Sequence, residues 1–273
     1  MPNSPETWPA EAPFDKQAVR RDFGRAAPGY DRHAGLQRQV AGRVADLFAE
    51  QKSPSAGTVL DVGAGTGAVG AALAERGIEP ERLVALDLAH PMTQQGRRAG
   101  GPGVTADAEA LPFAPAAFDA VLSSLTLQWV NDLEDCLRGM ARVLRPGGIL
   151  VASTVVRGTL DELAAALRAV DGTAGVGPFL PRERLAAALA GSGLAAPRCR
   201  VERLVRTAPD PAAVLRDLKG LGAVDKAPDR ARGLRGRRRL IRLCRAYREA
   251  AGTPEGPVPV TWQIGYLVAW KRD

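Results

Sequence analysis

Metal-binding and disulfide-forming residues are scarce in this sequence of 273 residues. Its three cysteines are odd in number and far apart, and it contains neither a Cys-x-x-Cys nor a His-Glu-x-x-His pattern. No apolar run approaches the roughly 20 residues of a membrane span, and the first residues do not resemble a secretory signal. We therefore expect a metal-free globular protein of the cytoplasm.

Aromatic residues make up only 5% of the chain, but 45% of the residues are hydrophobic and 25% are charged, as in folded soluble domains. This length favours one large domain with insertions over two enzymes. The proline-rich segment 1–13 predicts a disordered tail, and 14–273 a single domain. We divide that domain into N-terminal helices (14–52), a core (55–156) and a helical cover formed by 157–195 and 209–257.

Short apolar runs that alternate with helical patterns predict an α/β fold, since this alternation is typical of parallel sheets covered on both faces. Two helices are expected before the first strand. Thr159 and Glu162 have the spacing of a capping box, which predicts the start of a helix that runs to Val170. We predict a doubly wound, mostly parallel, seven-stranded sheet with strands at 58–61, 83–87, 104–107, 118–124, 148–154, 200–207 and 260–270.

A glycine-rich segment from Leu60 to Gly67, LDVGAGTG, follows the first predicted strand. Its glycines allow a sharp turn and let a ligand approach the backbone, as in dinucleotide-binding loops. However, the spacing is G-x-G-x-G, and Asp61 would repel a pyrophosphate but attract an ammonium group. A nicotinamide dinucleotide is therefore the weaker interpretation of this loop.

Two further acids end the next two predicted strands. Asp87 is placed to accept hydrogen bonds from both hydroxyls of a ribose, and Asp107 from the amino group of an adenine. Ligands of open α/β sheets bind at the carboxyl ends of the strands, where all three acids are expected. Together with Asp61 they predict S-adenosylmethionine, which carries an adenosine and a charged amino-acid tail.

The central part of the sequence, roughly 55–155, resembles the class I methyltransferases. The matching stretches are LDVGAGTG, ALDLAHPM, ADAEALPF, FDAVLSSLTLQW and ARVLRPGGILVAS. The resemblance implies a Rossmann-like fold in which Asp61, Gly63 and Gly65 hold the methionine end of S-adenosylmethionine. The other cofactor-binding candidates are Asp87 at the ribose, Leu88 and Met92 along the adenosine, Asp107 and Ala108 at the adenine, and Ala64, Gly67 and Ser124.

The flanking regions resemble a narrower family, the malonyl-acyl carrier protein O-methyltransferases of biotin synthesis. The match covers most of 15–270 and includes FGRAAPGYDRHAGLQRQ, LQW, GTLDEL, FLP, LKGLGA and PVTW. It implies methyl transfer to the free carboxylate of a malonyl thioester, carried by acyl carrier protein or by coenzyme A. Ala64 stands where many members have cysteine, which matters little because the backbone makes that contact.

The implied chemistry makes few demands on side chains. A carboxylate is already ionised at neutral pH, so its methylation needs no general base, and His33 and His90 need not be catalytic. The rate would come from in-line positioning and from the exclusion of water. The candidates for holding the substrate carboxylate are Arg25, Tyr30, Gln128, Trp129 and Lys219.

Ten basic residues and one acid lie between Lys226 and Arg248, whereas the rest of the chain is nearly neutral. Such a run usually forms a solvated helix surface; a nucleic-acid site is a second interpretation, although aromatic residues that would stack bases are not interleaved. We favour docking of an acidic acyl carrier protein, with the candidates Arg235, Arg238, Arg242 and Arg245.

Two other functions stay open at this point. The same fold could methylate another small carboxylic acid or RNA, or it could serve a non-catalytic binding protein, because fold alone does not settle function.

Overall fold

The computed structural model describes residues 14–51, 57–96, 102–172, 176–177, 179–221 and 237–272. The predicted tail, 1–13, and the docking candidate Arg235 lie outside these ranges. The strands of the described residues are β1 Thr58–Val62, β2 Arg82–Asp87, β3 Gly103–Thr105, β4 Phe118–Ser124, β5 Leu144–Val155, β6 Ala195–Ala208 and β7 Val258–Trp270.

These strands form one sheet in the order β3-β2-β1-β4-β5-β7-β6. β1 pairs in parallel with β2 and β4, β2 with β3, and β4 with β5, whereas β7 lies antiparallel between β5 and β6. The strand order reverses direction at β1, because β2 lies on one side of it and β4 on the other. The predicted doubly wound, mostly parallel sheet of seven strands is confirmed.

Helices cover both faces of the sheet. Their bounds are α1 Lys16–Ala26, α2 Tyr30–His33, α3 Gly35–Glu50, α4 Ala68–Ala74, α5 His90–Gly96, α6 Leu133–Val143, α7 Asp161–Asp171, α8 Arg182–Ala190, α9 Pro211–Gly220 and α10 Arg237–Ala251. The sequence predicted two helices before β1; the described residues contain α1, α2 and α3 there, with a short 3₁₀ turn at Ala27–Gly29.

Successive side chains along β1 and β4 point to opposite faces of the sheet and therefore enter different hydrophobic cores. Leu60 of β1 and Val121 of β4 pack with α6 and α8, whereas Val59 and Leu122 pack on the opposite face with α3 and α4. This period of two is what a strand buried on both faces requires. The burial of both faces explains why apolar residues follow one another in these strands instead of alternating with polar ones.

The predicted cover divides between two packing environments. Leu185 and Leu189 of α8 belong to the main core against the sheet. In contrast, α7, α9 and α10 share a separate apolar cluster, in which Leu163, Val214 and Leu243 meet the start of β7.

The predicted capping box is wrong. Helix α7 begins at Asp161, and the residue before it, Leu160, has φ of +58° and makes no side-chain cap. Thr159 Oγ1 instead accepts a hydrogen bond from Gln263 N–H at 2.9 Å, and a Glu162 carboxylate oxygen accepts one from Thr261 N–H at 3.2 Å. Both side chains bind β7, so a tertiary contact replaces the local one.

Two other features of the described residues bear on the surface. No helix among them is both long enough and apolar enough to cross a bilayer. β6 forms one edge of the sheet, and its exposed side chains include Arg198, Arg200, Arg203 and Arg206.

Candidate active site

A cavity lies at the carboxyl ends of β1, β2 and β4, and α1 contributes part of its wall. This is the edge of the sheet at which the strand order reverses, where open α/β sheets bind their ligands. Three of the predicted cofactor residues, Asp61, Ala64 and Gly67, are outside the wall. The predicted cofactor residues within it are Gly63, Gly65, Asp87, Leu88, Met92, Asp107, Ala108 and Ser124.

The glycine loop turns tightly from β1 towards α4. Gly63 and Gly65 have φ of +72° and +55°, a region that is strained for residues with a side chain. The Gly63 N–H donates to the Leu86 carbonyl at 2.7 Å, which ties the loop to β2. A Cβ on Gly63 would lie 2.0 Å from Thr126 Oγ1, whereas one on Gly65 would meet nothing within 4 Å. Position 63 therefore excludes any side chain.

Asp61 is buried in β1, two residues before the wall residue Gly63. Its residue is only 1% exposed, and its Oδ1 atom has no hydrogen-bond partner among the described residues. Burial, followed by the negative charge of Asp87, raises the pKa of Asp61 to about 8. A buried carboxylate without a partner is costly, and a nearby cation would offset that cost.

Asp87 connects the glycine loop to the start of α5. Its Oδ2 accepts a hydrogen bond from Gly65 N–H at 2.9 Å, and its Oδ1 accepts one from Ala89 N–H at 2.8 Å. Burial raises the pKa of Asp87, against the opposing effect of these two hydrogen bonds. Each carboxylate oxygen has two lone pairs, so both keep the capacity to accept a further hydrogen bond from a ligand.

Asp107 follows the short strand β3 and is held by α1. Lys16 Nζ lies 3.0 Å from Asp107 Oδ1 and also pairs with Glu109. The Asp107 Oδ1 atom also accepts a hydrogen bond from Glu109 N–H at 3.1 Å. These contacts use one carboxylate oxygen, and Oδ2 accepts no hydrogen bond from the part of the chain that the structure describes.

Aromatic side chains close the cavity on the side of the N-terminal helices. Phe23 and Trp129 pack edge to face with 5.4 Å between ring centroids, and Tyr30 also lines the wall. Burial, together with the charges of Asp87 and Asp31, raises the pKa of Tyr30, which keeps its hydroxyl protonated. The cavity thus combines buried carboxylates with an apolar aromatic wall.

The structure brings two of the five predicted substrate-holding residues, Tyr30 and Trp129, to the cavity wall. Arg25 is exposed and lies 3.9 Å from the carboxylate of Asp22, and Lys219 is exposed on α9. Gln128 is outside the wall, and both ends of its amide are hydrogen-bonded to other parts of the protein.

The histidines make hydrogen bonds outside the cavity wall. His33 Nδ1 lies 2.9 Å from Asp217 Oδ1, which joins α2 to α9, and His90 Nδ1 lies 3.1 Å from Thr105 Oγ1. Within the described ranges, no three His, Cys, Asp or Glu side chains form a group that could hold a metal ion.

The basic helix α10 packs one face against α7, α9 and β7. Leu243 and Tyr247 are buried there, and the Tyr247 hydroxyl donates to the Pro259 carbonyl at 2.8 Å. Three of the docking candidates, Arg238, Arg242 and Arg245, are exposed on this helix.

Sequence analysis missed the contribution of α1 to the cavity wall. Lys16, Val19, Arg20 and Phe23 all line it. The spacing of Val19 and Phe23 indicates one apolar helix face but not the surface that this face covers. The wall residue Leu125 was also missed, since no local pattern marks it.

Comparison with known proteins defines first the class. A family model described as a methyltransferase domain matches residues 60–152. Among solved structures, the YcgJ protein from Bacillus subtilis is 16% identical, with a TM-score of 0.59 and coverage of 85% of this chain and 99% of that one. The solved structure supports the fold, and the methyltransferase-domain match together with the curated relatives described next defines a class I, S-adenosylmethionine-dependent methyltransferase.

Curated relatives define the family. A malonyl-[acyl-carrier protein] O-methyltransferase from Laribacter hongkongensis is 39% identical over 94% of this chain and 90% of its own length. A biotin biosynthesis bifunctional protein from Cellvibrio japonicus is 37% identical over 94% of this chain and 50% of its own. The chain belongs to the malonyl-[acyl-carrier protein] O-methyltransferase family.

Proposed function

We propose that this protein transfers a methyl group from S-adenosylmethionine to the free carboxylate of a malonyl group carried by an acyl carrier protein, a step of biotin synthesis. The names of its relatives supply the substrate. The observation that carries the proposal is the buried Asp61 carboxylate, whose Oδ1 has no partner in the described residues. The ammonium group of S-adenosylmethionine would be a partner for this carboxylate.

The residues at the cavity fit this cofactor from end to end. Asp61, Gly63 and Gly65 would hold the methionine end. Ser124 Oγ is a second buried polar atom there for which the described residues supply no partner. The carboxylate of Asp87 would accept the ribose hydroxyls. Further along the wall, Leu88, Met92 and Ala108 would contact the adenosine, and Asp107 Oδ2 would accept from the adenine amino group.

The bound cofactor would supply an electrophilic methyl group, and the protein would orient the acceptor. Because the malonyl carboxylate is already ionised, no residue has to remove a proton. The Tyr30 hydroxyl stays protonated and is therefore able to donate a hydrogen bond to that carboxylate. The packed rings of Trp129 and Phe23 would exclude water from the positively charged cofactor and the negatively charged malonyl carboxylate. The exclusion of water would strengthen the attraction between these two charges.

The carrier protein would dock on the exposed face of α10. Arg238, Ile241, Arg242 and Arg245 have the spacing that places side chains on one side of a helix. Ile241 is 60% exposed, and among the described residues only Val205 is a comparably exposed large hydrophobic side chain. An apolar residue ringed by arginines complements an acidic, amphipathic carrier protein.

The reaction is tested by intact-mass spectrometry of malonyl-acyl carrier protein incubated with the enzyme and S-adenosylmethionine. We expect the mass of one added methylene, which an esterase removes and which requires the cofactor. Asp61→Asn should abolish the gain. Asp119→Asn is the matched control. Asp119 Oδ2 accepts a hydrogen bond from Thr58 N–H at the opposite end of the central strands, away from the cavity. Without any gain the substrate is wrong, and other carboxylates and RNA become the acceptors to test.

Docking is tested by comparing two thioesters. Reversal of Arg238, Arg242 and Arg245 to glutamate should lower kcat/KM for malonyl-acyl carrier protein about tenfold or more, with little change for malonyl-CoA. Arg200→Glu, an equally basic exposed position on β6, is the control. An equal loss with both thioesters would contradict docking at this face.

A further inference from the structure

A strained peptide lies in the cavity wall where β4 ends. Leu125 has φ of +53°, a left-handed conformation that is strained for a residue with a side chain. Leu125 lines the cavity between Ser124 and Thr126, which also line it. The surrounding structure must therefore hold this residue in place.

Both backbone polar groups of Leu125 are bound. Its N–H donates to the carbonyl of Ser153 at 3.0 Å and lies 3.2 Å from Ser153 Oγ. Its carbonyl accepts a hydrogen bond from Gln128 Nε2 at 2.7 Å. Ser153 anchors the peptide to β5, and Gln128 closes the turn from the other side.

The second end of the Gln128 amide is also engaged. Thr154 Oγ1, on β5, donates to Gln128 Oε1 at 3.0 Å, and Thr154 is only 1% exposed. Gln128 is therefore a bridge between a buried strand residue and the strained carbonyl. Its amide oxygen and one of its two Nε2 hydrogens are thus engaged within the protein.

The orientation of the neighbouring wall residues depends on this bridge. Ser124 precedes Leu125, and Trp129 N–H donates to the Thr126 carbonyl at 2.9 Å in the 3₁₀ turn that follows. Rotation of the Leu125 peptide would move both Ser124 Oγ and the Trp129 ring. Ser124 and Trp129 both line the cavity to which the proposed function assigns the cofactor and the substrate.

We propose that Gln128 is a positioning residue, which clamps the strained Leu125 peptide to Thr154 and so orients the cavity wall for methyl transfer. Its kinetic consequence rests on the proposed function. Its effect on the cavity wall does not depend on the identity of the acceptor, because the affinity for the cofactor product reports that effect without any acceptor. Thr154 provides an independent test, since a buried residue outside the wall cannot affect the reaction by touching substrate.

The test compares Gln128→Ala, Thr154→Val and Thr154→Ser. Thr154→Val keeps the side-chain shape but removes the donor, and Thr154→Ser restores the donor. We expect Gln128→Ala and Thr154→Val to lower kcat about tenfold and the KM for malonyl thioester to change less than about twofold, because misplacement affects the transition state. Thr154→Ser should retain most of the activity.

Calorimetric titration with S-adenosylhomocysteine gives a readout that needs no acceptor. Affinity should fall several-fold in Gln128→Ala and Thr154→Val and should return in Thr154→Ser. A raised KM with unchanged kcat and unchanged affinity would place Gln128 on the substrate and overturn the proposal. The same kcat and the same affinity for S-adenosylhomocysteine in Thr154→Val and Thr154→Ser would also overturn the proposal. If the wild-type protein binds S-adenosylhomocysteine but methylates no malonyl thioester, the proposed function fails. The affinities of the variants for S-adenosylhomocysteine still decide the role of Gln128 in that case.

Discussion

Replacement of Asp61 by asparagine tests the electrostatic centre of the site through protein stability. The pKa of Asp61 is about 8 in the folded protein against a usual value of 3.8. Because the folded value is raised, the unfolded chain ionises first as pH increases. The contribution of Asp61 to the free energy of unfolding is fully present below about pH 3.8. It is lost progressively as the pH rises from there to about 8. The loss is about 1.4 kcal/mol per pH unit, so it reaches about 4 kcal/mol at pH 7.

Asparagine does not titrate, so Asp61→Asn removes this loss. Without ligand, the variant should gain about 3 kcal/mol relative to wild type between roughly pH 5 and pH 7. The measurement is urea unfolding followed by circular dichroism at several pH values. Saturating S-adenosylhomocysteine should flatten the pH dependence of wild type only, because its ammonium would pair with the ionised carboxylate.

Asp119→Asn is the control with the opposite sign. Partial burial raises the pKa of Asp119, but hydrogen bonds from Thr58 N–H and Arg145 outweigh it and lower the pKa below its usual value. That variant should therefore lose stability most at neutral pH. Parallel pH curves for wild type and Asp61→Asn would refute the assignment of a raised pKa to Asp61.

Other substitutions at the cavity have distinct expected outcomes. Gly63→Ala should destabilise the protein by about 3 kcal/mol or more, because its Cβ would meet Thr126 Oγ1 at 2.0 Å, whereas Gly65→Ala should cost only the backbone strain of about 1 kcal/mol; chemical denaturation separates the two. Asp87→Ala should weaken S-adenosylhomocysteine binding about 30-fold or more, because a buried ribose loses its acceptor; unchanged affinity by calorimetry would contradict the placement of the ribose.

The carboxylates of the site were predictable from sequence. Asp61 and Asp87 belong to short apolar runs that were recognisable as buried parallel strands, and the carboxyl ends of such strands meet at one edge. Gly63 could also be predicted, since the sharp turn after β1 demands a residue without Cβ.

Other parts of the site depend on contacts between distant residues. Lys16 reaches Asp107 across 91 positions of the chain, and no local pattern encodes that pairing. Thr159 and Glu162 satisfy a capping pattern, yet β7 offers partners that compete with the helix end. The left-handed Leu125 is likewise held by Ser153 of β5 in addition to nearby Gln128, and the contact with β5 is not encoded locally.

The edges of the sheet have a consequence for how the protein behaves at high concentration. β3 at one edge has three residues, whereas β6 at the other has 14 and pairs with β7 on one side. A long unpaired edge can recruit strands from other molecules and so begin aggregation. The exposed arginines of β6 oppose such pairing, because two edges of the same kind would bring like charges together. Substitutions that neutralise them would therefore promote self-association, even where the cavity is unchanged.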